Sequence, residues 1–349
     1  MMIATSLIRT IAATSLILYE VTAFRGRHSI HTKIYSYTTT LQAIKDGSPE
    51  IPTSRDMQQV INIAEDAAMK AGKIMKKFTG RIAVSKTKMN AADIVTESDV
   101  ECQKIIEETV NSAFPNDDFL GEENVDAGSL ASASALADAI GCDSEDKSDQ
   151  LLWIVDPIDG TTNFQAGLPF FAVSIGVVSL RGEDGPVIVA GVIYNPVLNE
   201  MVTAVRGRGC YLNGEKLEAK IGSPDMKQAI INVGFPVSSE STLRASSRAV
   251  AALATKVRGL RMIASASQVM SWVAQGKLAS YISWDLNAWD VAAGMVIVEE
   301  AGGHICNFDG TTADISSRDL IVTYKEENGG CQINKQIQEI LRENNCLEY

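Results

Sequence analysis

Histidine is nearly absent from this chain: three among 349 residues, His28, His31 and His304. The first two fall in an N-terminal stretch whose composition differs from the rest, so a Ser-His-Asp triad or a histidine-rich zinc site would have to be built around His304 alone. That residue follows Gly302 and Gly303 at the start of an expected strand and reads as structural. The six cysteines, at 102, 142, 210, 306, 331 and 346, show no CxxC spacing and are too sparse for a disulfide scaffold, so they read as reduced structural thiols. Basic residues are the minority, 31 against 43 acidic, giving a net charge of −12 with no basic patch, which excludes duplex nucleic acid as a partner. No apolar run reaches the roughly 20 residues that span a bilayer, and the mature chain is expected to be without membrane contact.

The hydrophobic fraction is ordinary, 46%, and the length is sufficient for two cores. Residues 1 to 45 stand apart as a leader. Met1 to Ala23 holds one basic residue, Arg9, and the short apolar stretch IAATSLIL, which resembles a secretory h-region. Phe24 to Lys45 has no acidic residue, carries Arg25, Arg27, Lys33 and Lys45, and is rich in Ser and Thr, as transit peptides are. The succession resembles the bipartite leaders of complex plastids, so a plastid (chloroplast) destination is expected, with a mitochondrial presequence or a disordered tail as the alternatives.

Beyond the leader, apolar residues recur at helical steps from Asp56 to Phe78. Asp93 to Val95 reads as extended, and Ser98 or Asp99 is expected to cap a second helix ending before Pro115. Residues 125 to 150 are rich in Ala, Ser and Asp, which predicts a mobile surface insertion with at most a frayed helix near 130 to 140. Strand patterns then follow at 170–180, 187–195 and 200–205, with Asn213-Gly214 placed for a tight hairpin turn, so an antiparallel sheet is expected. From about 224 helices alternate with strands: helices near 241–256, 266–275, 290–301 and 334–344, with strands between them. This predicts an N-terminal α+β domain over 50–223 and a C-terminal α/β domain over 224–349.

The stretch LLWIVDPIDGTTNF at 151 to 164 carries the chemistry. A strand-forming run ends on Asp156, and Asp159 follows after Pro157 and Ile158, so both carboxylates and the intervening carbonyl can face one point. Acidic groups ending a buried strand are costly unless a cation meets them, and hard divalent cations such as Mg2+ favour such oxygen ligands. Gly160, Thr161 and Thr162 then offer backbone N–H groups suited to a phosphate oxygen. Glu122-Glu123 and Asp290 add acidic groups. Taken singly, Asp290 fits a helix cap and the two glutamates a solvated loop; the combination, without histidine, is the ligand set of a magnesium site that handles phosphate.

GEEN at 121–124, WIVDPIDGTTNF at 153–164 and WDVAAGMVIVEEAGG at 289–303, with DIVTESD at 93–99, resemble the signature motifs of the inositol monophosphatase family, in the family's order. The resemblance runs from about residue 56 to the carboxyl end, interrupted by 125–150. It implies an α/β fold layered α-β-α-β-α and a Mg2+-dependent, Li+-sensitive phosphomonoesterase acting on a small phosphorylated metabolite, with a homodimer as the expected assembly. It also implies two or three Mg2+ ions: a first held by Glu122, Asp156 and the carbonyl of Ile158, a second by Asp156, Asp159 and Asp290, and a third aided by Glu122. Asp99 and Thr161 would orient the attacking water. Gly160 and Thr161 would bind phosphate oxygens, with Asp290 and Ala266 lining the substrate side, and Lys88 matches a basic residue near such sites, although it fits a surface lysine equally well.

One departure bears on specificity. Members acting on inositol phosphates usually carry a glutamate seven residues before the WD aspartate, and here that position is Ser283. Asp285 could replace the missing carboxylate from two residues on. ASAS at 264–267 stands in place of a more glycine-rich version, while GFP at 234–236 is retained. Inositol monophosphate or a related polyol or sugar phosphate is the expected substrate; histidinol phosphate, L-galactose 1-phosphate, fructose bisphosphate and a 3′-phosphoadenosine compound are the alternatives. A non-catalytic phosphometabolite-binding regulator is the rival class, and retention of Asp99 with Thr161 speaks against it.

Overall fold

The computed structural model describes residues 53–81, 86–87, 94–141, 150–182, 185–218, 220–235, 239–327 and 331–348. The leader, Lys88, Asp93, Pro236 and residues 142–149 of the insertion lie outside them. Helix α1 (Met57–Phe78) starts where the Asp56 carboxylate accepts the Gln58 N–H, and its apolar stripe, including Val60, Ala64, Ala67, Ala71 and Met75, is buried. A short ribbon pairs β1 (Lys86–Thr87) with β2 (Ile94–Val95). Helix α2 (Glu97–Ala113) is capped by Thr96, not by Ser98 or Asp99 as expected. The Thr96 hydroxyl accepts the Ser98 N–H, while Asp99, three residues on, accepts the Thr96 N–H at 2.8 Å. Asp99 is thus the reciprocal partner of a capping box.

A seven-stranded sheet runs in sequence order through β3 (Asp118–Gly121), β4 (Leu151–Asp159), β5 (Ala172–Gly182), β6 (Gly185–Asn195), β7 (Glu200–Val205), β8 (Gly209–Leu212) and β9 (Glu215–Lys216). All its pairs are antiparallel, as expected, except β3 with β4. Asn213 and Gly214, both with positive φ, form the turn between β8 and β9. The insertion between β3 and β4 contains α3 (Ser129–Ile140), and a short α4 (Thr161–Ala166) follows β4.

The five-stranded sheet contains β10 (Ile230–Val233), β11 (Gly259–Arg261), β12 (Ser280–Ser283), β13 (His304–Asn307) and β14 (Leu320–Thr323), in the order β11-β10-β12-β14-β13. Strands β11, β10 and β12 are parallel, joined through α5 (Glu240–Ala254) and α6 (Ala266–Ala274), and β14 is antiparallel to both its neighbours. Helix α7 (Ala288–Glu300) precedes β13, and α8 (Gln332–Glu343) ends the chain.

The layers follow from which faces are apolar. Helices α1 and α2 cover one face of the larger sheet, and α6 and α7 lie between the two sheets. Helices α5 and α8 cover the outer face of the smaller sheet, which completes an α-β-α-β-α stack. Helix α7 is apolar nearly all round, from Val291 to Val298, as a helix buried between layers must be. It comes close to the larger sheet because Gly176 of β5 faces it: a Cβ there would lie 2.5 Å from that of Ala292.

Candidate metal centre

The β4–β5 register shifts between Asp156 and Asp159, and this irregularity at Pro157 turns the two carboxylates toward one point. Helix α7 brings a third. Ligand oxygens of Asp156, Asp159 and Asp290 all lie within 4.8 Å of one another, with Asp156 2% and Asp159 7% exposed and Asp290 partly open to solvent. Burial raises the Asp156 carboxyl well above its usual value, and the charges of Glu122, Asp159, Asp290 and Asp99 push it further. Burial and then Asp159 raise Asp290 likewise, while Arg318 pulls the other way. Three carboxylates converging on one point are a candidate cation site by their chemistry.

The trio is not held symmetrically. Asp156 accepts the Ile158 N–H at 3.0 Å. Asp159 is gripped by the first turn of α6: Ser265 Oγ donates at 2.8 Å, the Ala266 N–H at 3.1 Å, the Ser267 N–H at 2.6 Å, and the Ser267 hydroxyl donates as well. Burial raises the Asp159 carboxyl, and these donors draw it back. Asp290, three residues into the Asn287 cap of α7, accepts the Asn287 N–H at 2.7 Å.

A second polar chain adjoins the trio. The Thr161 hydroxyl lies 3.1 Å from Asp99 Oδ1 and 3.1 Å from the Ile158 carbonyl. Asp99, 1% exposed, is lifted to about 6 mainly by burial, against the hydrogen bonds of Thr96 and with the charge of Glu122 adding to the rise. Glu122 itself sits in a single 3-10 turn directly after β3. Gly160 has φ +93°, and a Cβ there would lie 2.9 Å from the Phe170 carbonyl and 3.1 Å from that of Ala264, so only glycine fits between these strands of backbone. Ala264 itself has φ +54°, an uncommon conformation for alanine. The Asn163 amide fastens α4 to the same loop through the carbonyls of Phe170 and Ile263, at 2.7 and 2.6 Å.

Of the residues singled out from sequence, Asp156, Asp159 and Asp290 converge, Glu122 and Asp99 lie within electrostatic reach of Asp156, and Thr161, Ile158, Gly160 and Ala266 lie on adjoining backbone. Ser283 is buried at the end of β12, in hydrogen-bond contact with Tyr281 and backed by Gly234, where a Cβ would collide with it. Asp285 does not stand in for the missing glutamate. Its carboxylate is taken by Arg318, with Nη2 at 2.6 Å and Nε at 2.8 Å, and by the Ser129 hydroxyl. Sequence reasoning missed Thr96, Ser265, Ser267, Asn287 and Arg318; the serines just before and within the start of α6 and the Asn287-x-x-Asp290 spacing carried helix-start signals that could have revealed three of them.

Comparison with known proteins agrees with this geometry. The inositol monophosphatase family matches residues 56–342. Inositol monophosphatase 1 of Solanum lycopersicum is 34% identical over 270 residues, 76% of this chain and 91% of that protein. A fructose-1,6-bisphosphatase/inositol-1-monophosphatase of Thermotoga maritima is 31% identical over 252 residues, 72% of this chain and 87% of that protein. Among solved structures, an IMPase of Thermotoga maritima superimposes with a TM-score of 0.67 at 28% identity, over 84% of this chain and 99% of that one. With its layered fold, its acidic trio and these relatives, the chain belongs to the inositol monophosphatase family, whose members are phosphoric monoester hydrolases.

Proposed function

We propose that the protein hydrolyses inositol monophosphate or a closely related polyol or sugar phosphate, with Mg2+ held by Asp156, Asp159, Asp290, Glu122 and the Ile158 carbonyl. The observation that carries this reading is the acidic trio within 4.8 Å together with the Asp99–Thr161 pair beside it. An all-oxygen donor set of carboxylates and a carbonyl suits Mg2+ and not a soft metal. When bound, two or three such ions would supply Lewis-acid polarisation of the phosphate and of the attacking water.

The chain's own groups do the rest. Thr161 Oγ1 can accept a proton from the attacking water while passing its own to Asp99 Oδ1, 3.1 Å away. Asp99, lifted to about 6, is a suitable resting place for that proton near neutral pH. The backbone N–H groups of Gly160 and Thr161 would hold phosphate oxygens, and Ala266 and Ser283 would border the alcohol portion, with Lys88 a candidate countercharge. A non-catalytic binder would have no use for a hydroxyl fixed between a carboxylate and a ligand carbonyl.

The neutral Ser283 in place of a glutamate supports a wider range of alcohols than inositol alone, including the fructose bisphosphate named for one relative. A homodimer, sensitivity to Li+ and plastid targeting by residues 1–45 complete the proposal; no helix among the described residues is long and apolar enough to cross a membrane. Phosphate release with Mg2+ over a panel of inositol, galactose, histidinol, fructose and adenosine 3′-phosphates tests it. Turnover of a polyol or sugar phosphate well above the others is expected, and absence of release from every compound would overturn the reading.

A further inference from the structure

Helix α3 is joined to the metal-ligand candidate Asp290 by an unbroken series of polar contacts. In its first turn the Ser129 hydroxyl lies 3.0 and 2.9 Å from the two carboxylate oxygens of Asp285. The Ser132 hydroxyl accepts Arg318 Nη1 at 3.1 Å. Arg318 in turn closes on Asp285 Oδ1 through Nε and Nη2, at 2.8 and 2.6 Å, and Nη2 also reaches Asn287 Oδ1 at 3.2 Å. The Asn287 N–H then donates to Asp290 Oδ2. Two backbone contacts stiffen the loop: the Asp285 N–H donates to Asp319 Oδ1 at 2.9 Å, and the Leu286 N–H to the Arg318 carbonyl at 2.8 Å.

The helix is seated as well as tethered. Leu136 is 7% exposed within the main core cluster, with Ala135, Ala139 and Ile140 packed against it. The sequence expectation of at most a frayed helix is therefore corrected: a 12-residue helix occupies Ser129–Ile140 and, while lying at the surface, buries an apolar side chain. A helix needing only solubility would leave Ser129 and Ser132 to water. Here both are spent on the one arginine–aspartate pair that borders the α7 cap.

We propose that α3 is a strut that fixes the Asp290 carboxylate for the cation, acting through Asp285, Arg318 and Asn287. These are positioning residues, since none of the three touches the reacting atoms. Arg318 has a double part, gripping Asp285 with its fork while Nη2 reaches the Asn287 cap, and setting a positive charge near Asp290. The loop containing Asp285, with its left-handed φ of +53°, is held in that conformation by the same contacts. The inference rests on Asp290 being a metal ligand.

The test is calorimetric Mg2+ titration of the metal-free full chain, with amide hydrogen exchange read across residues 286–290. Arg318→Lys keeps the charge and loses the fork; Ser129→Ala with Ser132→Ala cuts the strut from the α3 side and leaves the Leu136 seat intact. Leu130→Gln, at a position 89% exposed, is the control. Arg318→Lys is expected to weaken Mg2+ roughly tenfold, the serine pair in the same direction by several-fold, and both to speed exchange at the α7 start while the control does neither. Mg2+ affinity within twofold of wild type in both test variants, alongside its loss in Asp290→Asn, would overturn the strut alone. Unchanged affinity in Asp290→Asn would instead remove the ligand assignment beneath it.

Discussion

Asp290→Asn should stabilise the metal-free protein while destroying its response to Mg2+. Asp290 lies within 4.8 Å of oxygens of Asp156 and Asp159. At such a separation, with an effective dielectric of about 20, two full charges repel by about 3.5 kcal/mol. Donors to Asp159 and the Arg318 charge offset part of this, so the relief on removing one charge is smaller, on the order of 1–3 kcal/mol. The asparagine Oδ1 can still accept the Asn287 N–H, so the helix cap survives. Because the folded-state carboxyl is raised above its unfolded value, the folded state binds more protons and wild-type stability falls as pH rises from the unfolded value through the folded one. The variant lacks that loss, so its advantage should be small near pH 4 and grow toward pH 8. Differential scanning calorimetry of both proteins in EDTA should show the variant melting several degrees higher at pH 8, at about 2 °C per kcal/mol. Millimolar Mg2+ should reverse the order, since only wild type gains the binding term. A variant less stable than wild type at pH 8 without metal, or equally stabilised by Mg2+, would refute the reasoning.

Thr161→Val removes the hydroxyl between Asp99 and the Ile158 carbonyl at nearly constant volume, and turnover should fall by about 10²-fold or more with little change in melting temperature. Gly160→Ala should cost roughly 2–3 kcal/mol in urea denaturation, from its positive φ and from the Phe170 carbonyl 2.9 Å from the new Cβ; an unchanged midpoint would contradict this. Ala264→Gly should go the other way and gain about 0.5–1 kcal/mol by the same measurement, since its φ of +54° is strained for alanine.

What could be read beforehand divides by the length of the pattern. Helix α1 and the longer strands β5, β6 and β7 of the larger sheet carry an apolar pattern over many residues, so local spacing was sufficient to find them. Helix α4, six residues reading TTNFQA, is shorter than two turns and has no period to detect. Strand β3 is four residues long and pairs in parallel with β4 across the whole insertion, a contact with no local signature. At the site, the acidic motifs pointed to their own convergence because a carboxylate ending a buried strand has few other uses. Asp285 misled because charge and face suggested a ligand, while its true partner, Arg318, lies 33 residues on. Helix α3 was undervalued because its alanine-rich composition hides one buried leucine and two serines whose partners come from the other end of the chain.

The grip of α6 on Asp159 has a consequence for how the protein responds as a whole. The aspartate ends a strand of one sheet, and its four donors stand at the cap and first turn of a helix lying between that sheet and the other. If Asp159 holds a cation as proposed, its binding and closure of this seam are thermodynamically linked, and the linkage is reciprocal. Any ligand, subunit contact or substitution that draws α6 from β4 by a fraction of an ångström would loosen the ion, and filling the site would resist that parting to the same degree. On that proposal, the affinity for the ion would be in effect a strain gauge mounted across the middle of the fold.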